Sequence, residues 1–231
     1  MQRRLVGVGM GPGDPDLVTC KAVGLLRAAD VVLVGSDDEL GLTEVVVREH
    51  LDDPRTIRRV GLVDGDLDPA AAAHLAVTAF EAGVGLVVVA TLGDPSIYSS
   101  FRGLAERVGA RVDVTVEVVP GITAMQAFAA TSRVPLVEGT ESLTLVPAEA
   151  GLASFTDALE HSDTVVAYEG GRYIAAMQGE LSRRGRLTGA MLGVDVSLDT
   201  ERITPLVDRP AGPDRPDMTT VVVPAVRDDA P

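Results

Sequence analysis

Leu5-Val6-Gly7-Val8-Gly9-Met10-Gly11-Pro12-Gly13-Asp14-Pro15, followed by Leu17–Ala28 and Val31-Val32-Leu33-Val34, decides the fold class. Leu5–Val8 is a short apolar run of strand length. Gly9–Pro15 is a turn, Leu17–Ala28 has apolar residues at helical spacing, and Val31–Val34 is a second apolar run after Ala29-Asp30. Strand, turn, helix and strand in that order predict a βαβ unit, hence a parallel pair joined by a right-handed crossover. The alternation continues. Thr43–His50 and Ala70–Glu81 are expected helices on either side of a polar, Asp-rich stretch from Asp52 to Asp68. Gly85–Thr91 is an apolar strand, Ser99–Val108 a helix, Val112–Val119 a strand and Thr123–Thr131 a helix rich in small residues. This is the grammar of one open α/β sheet.

From about Pro135 the strands crowd together, at Leu143–Val146, Thr164–Tyr168, Met191–Val196, Glu201–Leu206 and Thr219–Val223. Helices are expected at Phe155–Glu160 and Tyr173–Arg184. Close strands imply a mixed, partly antiparallel second sheet. The expectation is two α/β domains, residues 1–137 and 138–231, with Asp208–Asp217 a Pro-rich loop and Asp228–Pro231 a disordered tail.

Aromatics are 3% of the residues and Trp is absent, so the core has to be aliphatic, and Val runs suit buried parallel strands. The formal net charge of −14 disfavours nucleic acid, which requires a basic footprint. No apolar run approaches the roughly 20 residues of a membrane span, and no secretory leader is visible, so a cytoplasmic location is expected. Cys20, the only cysteine, is expected as a small buried residue. With His50, His74 and His161 far apart in the sequence, no metal site is expected.

Three turns carry the candidate chemistry, each at the carboxyl end of an expected strand, where ligands of open α/β sheets bind. In the first, Gly7–Pro15, the dinucleotide fingerprint fails because its third glycine would fall on Pro12 or Asp14, and no Walker lysine follows. Asp14 suits a helix cap and would repel a phosphate. The second, Leu92-Gly93-Asp94-Pro95-Ser96-Ile97-Tyr98, pairs a glycine that admits a ligand to the backbone with Asp94. That acid is either an acceptor for a ribose hydroxyl or ammonium group, or a helix cap. The third is Pro120-Gly121-Ile122-Thr123-Ala124, where Thr123 is an N-cap or a ligand contact. Backbone groups, one carboxylate and one hydroxyl without a cationic clamp describe a site for a small, neutral or cationic, hydroxyl-bearing cofactor.

GVGMGPGDPDLVTCKAVGLLRAADVVLVG at 7–35, GDPSIYSSF at 93–101 and VVPGITAMQAFAATSRVPLVEGTESLTLVPA at 118–148 together resemble the tetrapyrrole methylase family. VVAYEGGRY at 165–173 and VDVSLDTERITPL at 194–206 extend the likeness more weakly. IYSSF and PLVEGTESLTLVPA look most like the branch that methylates precorrin-2 at C20. The resemblance implies two α/β domains with the active site in a cleft between them, a homodimer, S-adenosylmethionine as methyl donor and a tetrapyrrole substrate. By position it assigns Gly11, Pro12 and Gly13 to the substrate side, Pro12 also to the cofactor, and Leu92, Gly93, Asp94, Ile97, Thr123 and Ala124 to the cofactor. Tyr168, where members often carry Met beside the adenine, Val194 and Thr220 are further cofactor candidates.

A sulfonium methyl is already activated, so transfer needs alignment more than a nucleophile, and proximity is worth roughly 7–11 kcal/mol. The sequence nominates no general base; Tyr98 is the best-placed polar side chain, its alternative being a packed aromatic. The carboxylates of such a substrate call for Arg partners, and Arg102, Arg133 and Arg172 lie near the matched blocks. Arg58-Arg59 and Arg183-Arg184 read as solvated charges. The chain departs from the branch at Ser36-Asp37-Asp38-Glu39, where three acids are poor neighbours for a polyanion. The rival readings are another tetrapyrrole position, a diphthine-synthesis-like protein methyltransferase, and a non-catalytic adenosyl-ligand sensor.

Overall fold

The computed structural model describes residues 2–36, 40–63, 65–208 and 218–227. The acidic 37–39 segment, nearly all of the expected Pro-rich loop and the tail at 228–231 lie outside these residues. The chain forms two compact units, Met1–Thr123 and Ala124–Pro231.

The first unit contains β1 (Arg4–Gly9), α1 (Cys20–Ala28), β2 (Val31–Gly35), α2 (Leu42–His50) and β3 (Ile57–Val60). A two-residue ladder, β4 (Leu62–Val63) with β5 (Asp66–Leu67), precedes α3 (Pro69–Glu81), β6 (Leu86–Thr91), α4 (Phe101–Gly109) and β7 (Thr115–Val119). The five longer strands form one sheet in the order β3-β2-β6-β1-β7, with every neighbouring pair parallel. Period-two alternation divides the aliphatic strands between two cores. Leu5, Leu33, Val87 and Val89 pack under Ala76, Phe80, Phe101 and Leu104 of α3 and α4. Val6, Val8, Val32, Val34, Val88 and Ala90 pack on the other face against Ala22, Leu26, Val46 and Val47 of α1 and α2. Gly7 leaves room for Phe101, whose ring stands 2.8 Å from where a Cβ would sit.

Local chemistry sets the boundaries. Asp68 caps α3 by accepting from Ala70 N (2.8 Å) and Ala71 N (3.2 Å), with Pro69 at the first helical position. Asp14 caps a single 3₁₀ turn, Pro15–Leu17, and Thr19 caps α1 two residues later. The expected helix from Leu17 therefore starts at Cys20. Cys20 itself is exposed, contrary to its expected burial, because α1 turns Ala22 and Leu26 inward. The Asp-rich stretch also differs from its reading as a connection, since it contains the edge strand β3. Arg59 on that strand is exposed but also paired: its Nε donates to Glu44 Oε2 at 2.6 Å, and Arg48 Nε reaches Glu44 Oε1 at 2.8 Å. The Glu44 side chain is fully buried, and although burial pushes its carboxyl up, the hydrogen bonds from Arg59 and Arg48 outweigh that and hold it below the usual range.

The second unit contains α5 (Ala124–Ser132), β8 (Leu143–Pro147), α6 (Leu152–His161), β9 (Thr164–Tyr168), α7 (Ile174–Arg183), β10 (Met191–Val194), β11 (Arg202–Pro205) and β12 (Thr219–Val223). Its sheet runs β11-β10-β12-β9-β8, parallel only at β8–β9. Val165, Ala167, Leu192, Val194, Val221 and Val223 face a core closed by Phe155, Leu159, Ile174, Met177 and Leu181 of α6 and α7. On the opposite face the Phe128 ring of α5 occupies the space a Cβ on Gly193 would need, 2.7 Å away. That packing places α5 with the second compact unit, which begins at Ala124. Arg183 and Arg184 both pair with the buried Glu180 and Arg184 also with Glu160; Arg183 stays solvated at 71% exposed, whereas Arg184, at 26%, does not.

Candidate functional site

Because β1 is followed by α1 on one face of the first sheet and β6 by α4 on the other, the chain parts at the carboxyl ends of these adjacent strands. Such a switch point opens a crevice by construction. The loops after β1, β6 and β7 all emerge there, and they are interlocked. Gly93 N donates to Gly11 O at 2.7 Å. Asp94 accepts from Ser96 N through Oδ1 at 2.7 Å and from Gly121 N through Oδ2 at 2.9 Å. A Cβ on Gly121 would stand 2.0 Å from Gly93 O, and one on Gly9 would stand 2.5 Å from Gly121 Cα. Both positions need glycine for close backbone approach.

Gly93 needs glycine for a different reason. Its φ is +67°, and a Cβ there would meet nothing within 4 Å. The loops thus present backbone next to open space, which is what an approaching ligand requires. Gly11, Pro12, Gly13 and Thr123 are buried, and Leu92, Asp94 and Ile97 half-buried. No Lys or Arg occurs in residues 9–13, 92–98 or 120–123, so these loops supply hydrogen-bonding groups without a cationic clamp. Tyr98 is not a packed aromatic: it is 53% exposed, with its backbone held at φ 46°. Strain of that kind on a non-glycine residue costs about 1–3 kcal/mol and clusters at functional positions. Arg102 is committed on α4 to Glu106, at 2.9 Å.

In the second unit, register aligns Tyr168, Thr220 and Gly193 across neighbouring strands on the face that carries α5. Tyr168 Oη accepts from Met125 N at 3.0 Å. Thr220 is buried beside them. Val194 is not with them: its side chain turns into the α6 and α7 core, leaving only its backbone for a ligand. At the same end of this sheet Glu169, Asp195 and Ser197 all have positive φ, at 58°, 52° and 73°. Thr219 fixes that end by accepting Glu169 N at its carbonyl (2.9 Å) and Gly171 N at Oγ1 (2.8 Å). Arg133 follows α5 with φ 59°, and Arg172 lies in the 3₁₀ turn Gly170–Tyr173; both are exposed. Among the described residues no group of three or more His, Cys, Asp and Glu could hold a metal ion, and no helix is long and apolar enough to cross a membrane.

The sequence reading missed the mutual weld of Gly9, Gly93 and Gly121 and the amide of Met125. Gly193 inside a strand was a visible signal of close packing. The three left-handed residues at the second sheet's end left none.

Residues 4–207 match the sequence profile of the Tetrapyrrole (Corrin/Porphyrin) Methylases. The chain belongs to this family. Among family members, precorrin-2 C(20)-methyltransferase of Sinorhizobium sp is 31% identical, with 97% of this chain and 96% of that protein covered. The cobalamin biosynthesis protein CobIJ of Mycobacterium tuberculosis is 33% identical over 88% of this chain, which spans only 42% of that protein's length. Solved structures give the same family fold. The cobalt precorrin-4 methyltransferase CbiF superposes with a TM-score of 0.77 at 21% identity, covering 96% of this chain and 94% of that one. Uroporphyrin-III C-methyltransferase from Thermus thermophilus, solved with S-adenosylhomocysteine, gives 0.67 at 24% identity, covering 95% of this chain and 96% of that one.

Proposed function

We propose that this methylase transfers a methyl group from S-adenosylmethionine to a carbon of a reduced tetrapyrrole in cobalamin biosynthesis, with C20 of precorrin-2 as the acceptor. The observation that carries the reading is the interlocked, cation-free loop cradle of the first unit. It suits a ligand that is itself positively charged at sulfur and needs hydrogen bonds at its ribose and amino-acid ends. The similarity to the Sinorhizobium enzyme along nearly the whole of both chains supports the choice of acceptor.

The cofactor supplies an activated methyl on a sulfonium. The protein's part is alignment. Pro12, Leu92, Gly93 and Ile97 line the loops that hold it, with Asp94 as the brace and Thr123 at the end of the third loop. Ala124, Tyr168, Thr220 and the Val194 backbone are the cofactor candidates of the second unit. Gly11, Gly13, Arg133 and Arg172 are candidates for the tetrapyrrole; Arg102 would first have to leave Glu106. The reading includes a homodimer, checked by light scattering, and a cytoplasmic location, checked by cell fractionation. The decisive experiment is mass spectrometry of precorrin-2 incubated anaerobically with the protein and S-adenosylmethionine. A product heavier by one methyl is expected, with its position mapped by labelling. No product despite tight binding of S-adenosylhomocysteine would overturn the acceptor and keep the cofactor.

A further inference from the structure

We propose that Tyr168 is a positioning residue: its hydroxyl fixes the first turn of α5 and thereby sets the affinity for S-adenosylmethionine. The inference rests on the function proposed above. The leading amides of any helix lack intrahelical acceptors and need partners from elsewhere. For α5 one partner is the Tyr168 phenol oxygen, 3.0 Å from Met125 N. This bond joins residues far apart in sequence, since Tyr168 ends β9 and Met125 is the second residue of α5.

A second contact makes the bond a clamp. Tyr168, Thr220 and Gly193 lie opposite one another in register, and the Phe128 ring, one turn beyond Met125, fills the place of the missing Gly193 side chain. The helix is held at its start by a hydrogen bond and one turn later by a ring on a glycine. Ala124 and Thr123 immediately precede the clamped amide and are both positions assigned to the cofactor. Ligand alignment is sensitive to displacements of about 1 Å, so a helix start held from the sheet positions whatever those residues touch. A thioether at position 168 would be only a weak acceptor. The Tyr hydroxyl in this chain therefore does work that a thioether could not.

Tyr168→Phe keeps the ring and removes the acceptor. Two measurements on the full chain test it: affinity for S-adenosylhomocysteine by calorimetry, and hydrogen exchange of the Met125 amide by NMR. The expected result is an affinity about three- to tenfold weaker, in line with one lost hydrogen bond, together with faster Met125 exchange. In turnover the loss is expected in KM for the methyl donor, with kcat at saturation nearly unchanged. Wild-type affinity in the variant overturns the proposal, whether or not Met125 exchange changes. If the wild-type protein binds no S-adenosylhomocysteine at all, the proposed function fails with it; Met125 exchange then still reports whether the clamp exists.

Discussion

Asp94 divides its carboxylate between Ser96 N and Gly121 N, so one side chain both caps its own turn and braces the loop after β7. In the sequence its role stood open between ligand acceptor and cap, and the brace was illegible because Gly121 lies far along the chain. Asp94→Asn keeps one acceptor and turns an amide donor toward the other backbone N–H. The expected outcome is at least a tenfold loss of S-adenosylhomocysteine affinity and about 1–3 kcal/mol of stability, read by calorimetry and denaturant unfolding. The two glycines of this weld should respond differently to alanine. Gly93→Ala meets open space and costs only the left-handed backbone, about 1–2 kcal/mol. Gly121→Ala sets a Cβ 2.0 Å from Gly93 O, so the loops must part. Unfolding midpoints for the pair are expected to rank Gly121→Ala well below Gly93→Ala, and equal midpoints would refute the weld.

Strands β9 and β12 match their expected ranges because their short β-branched runs end at Asp163 and Glu169 in one case and at Pro224 in the other, leaving little choice of boundary. The edge strand β3 escaped notice because Ile57-Arg58-Arg59-Val60 offers only two apolar residues, the rest of its surface being charged. Charge on an edge is how sheets avoid pairing with other chains, and it is also what hides an edge strand from a hydrophobicity reading. Arg59 ties that edge to α2 through Glu44, and the tie is pH-dependent. Glu44's folded pKa lies below its unfolded value, so its contribution is complete above the unfolded pKa and is lost as pH falls through the folded one. Glu44→Gln removes a fully buried charge and leaves two arginines that are about two-fifths exposed and can rehydrate. The expected cost near neutral pH is about 2–3 kcal/mol, toward the low end for a buried pair. The difference from wild type should shrink as pH falls through the acid range, and a pH-independent gap would show that the ion pairs do not govern this edge.

For the whole molecule, a parallel first sheet and a mixed second sheet were both readable, because strands separated by helices imply crossovers and crowded strands imply hairpins. The division before α5 was less readable. Thr123–Thr131 continues the strand–helix rhythm of the first unit, whereas contacts such as those of Phe128 with Gly193 and Met125 with Tyr168 join that helix to the second. Charge also acts at this scale. The chain carries −14, and Arg4, Arg48, Arg55, Arg59, Arg102, Arg183, Arg184 and Arg227 are already paired with carboxylates. The tetrapyrrole proposed as acceptor, a polyanion, would therefore approach against the global field, and salt should help it. The Debye length falls from roughly 30 Å at 0.01 M to about 8 Å at 0.15 M, which removes long-range repulsion while leaving short contacts intact. Over that range kcat/KM for the tetrapyrrole is expected to rise, with KM for S-adenosylmethionine changing far less because that ligand carries only a single net positive charge. A fall in kcat/KM would mean that local arginines, the proposed acceptor-site residues Arg133 and Arg172 among them, outweigh the rest of the molecule's charge in steering the substrate.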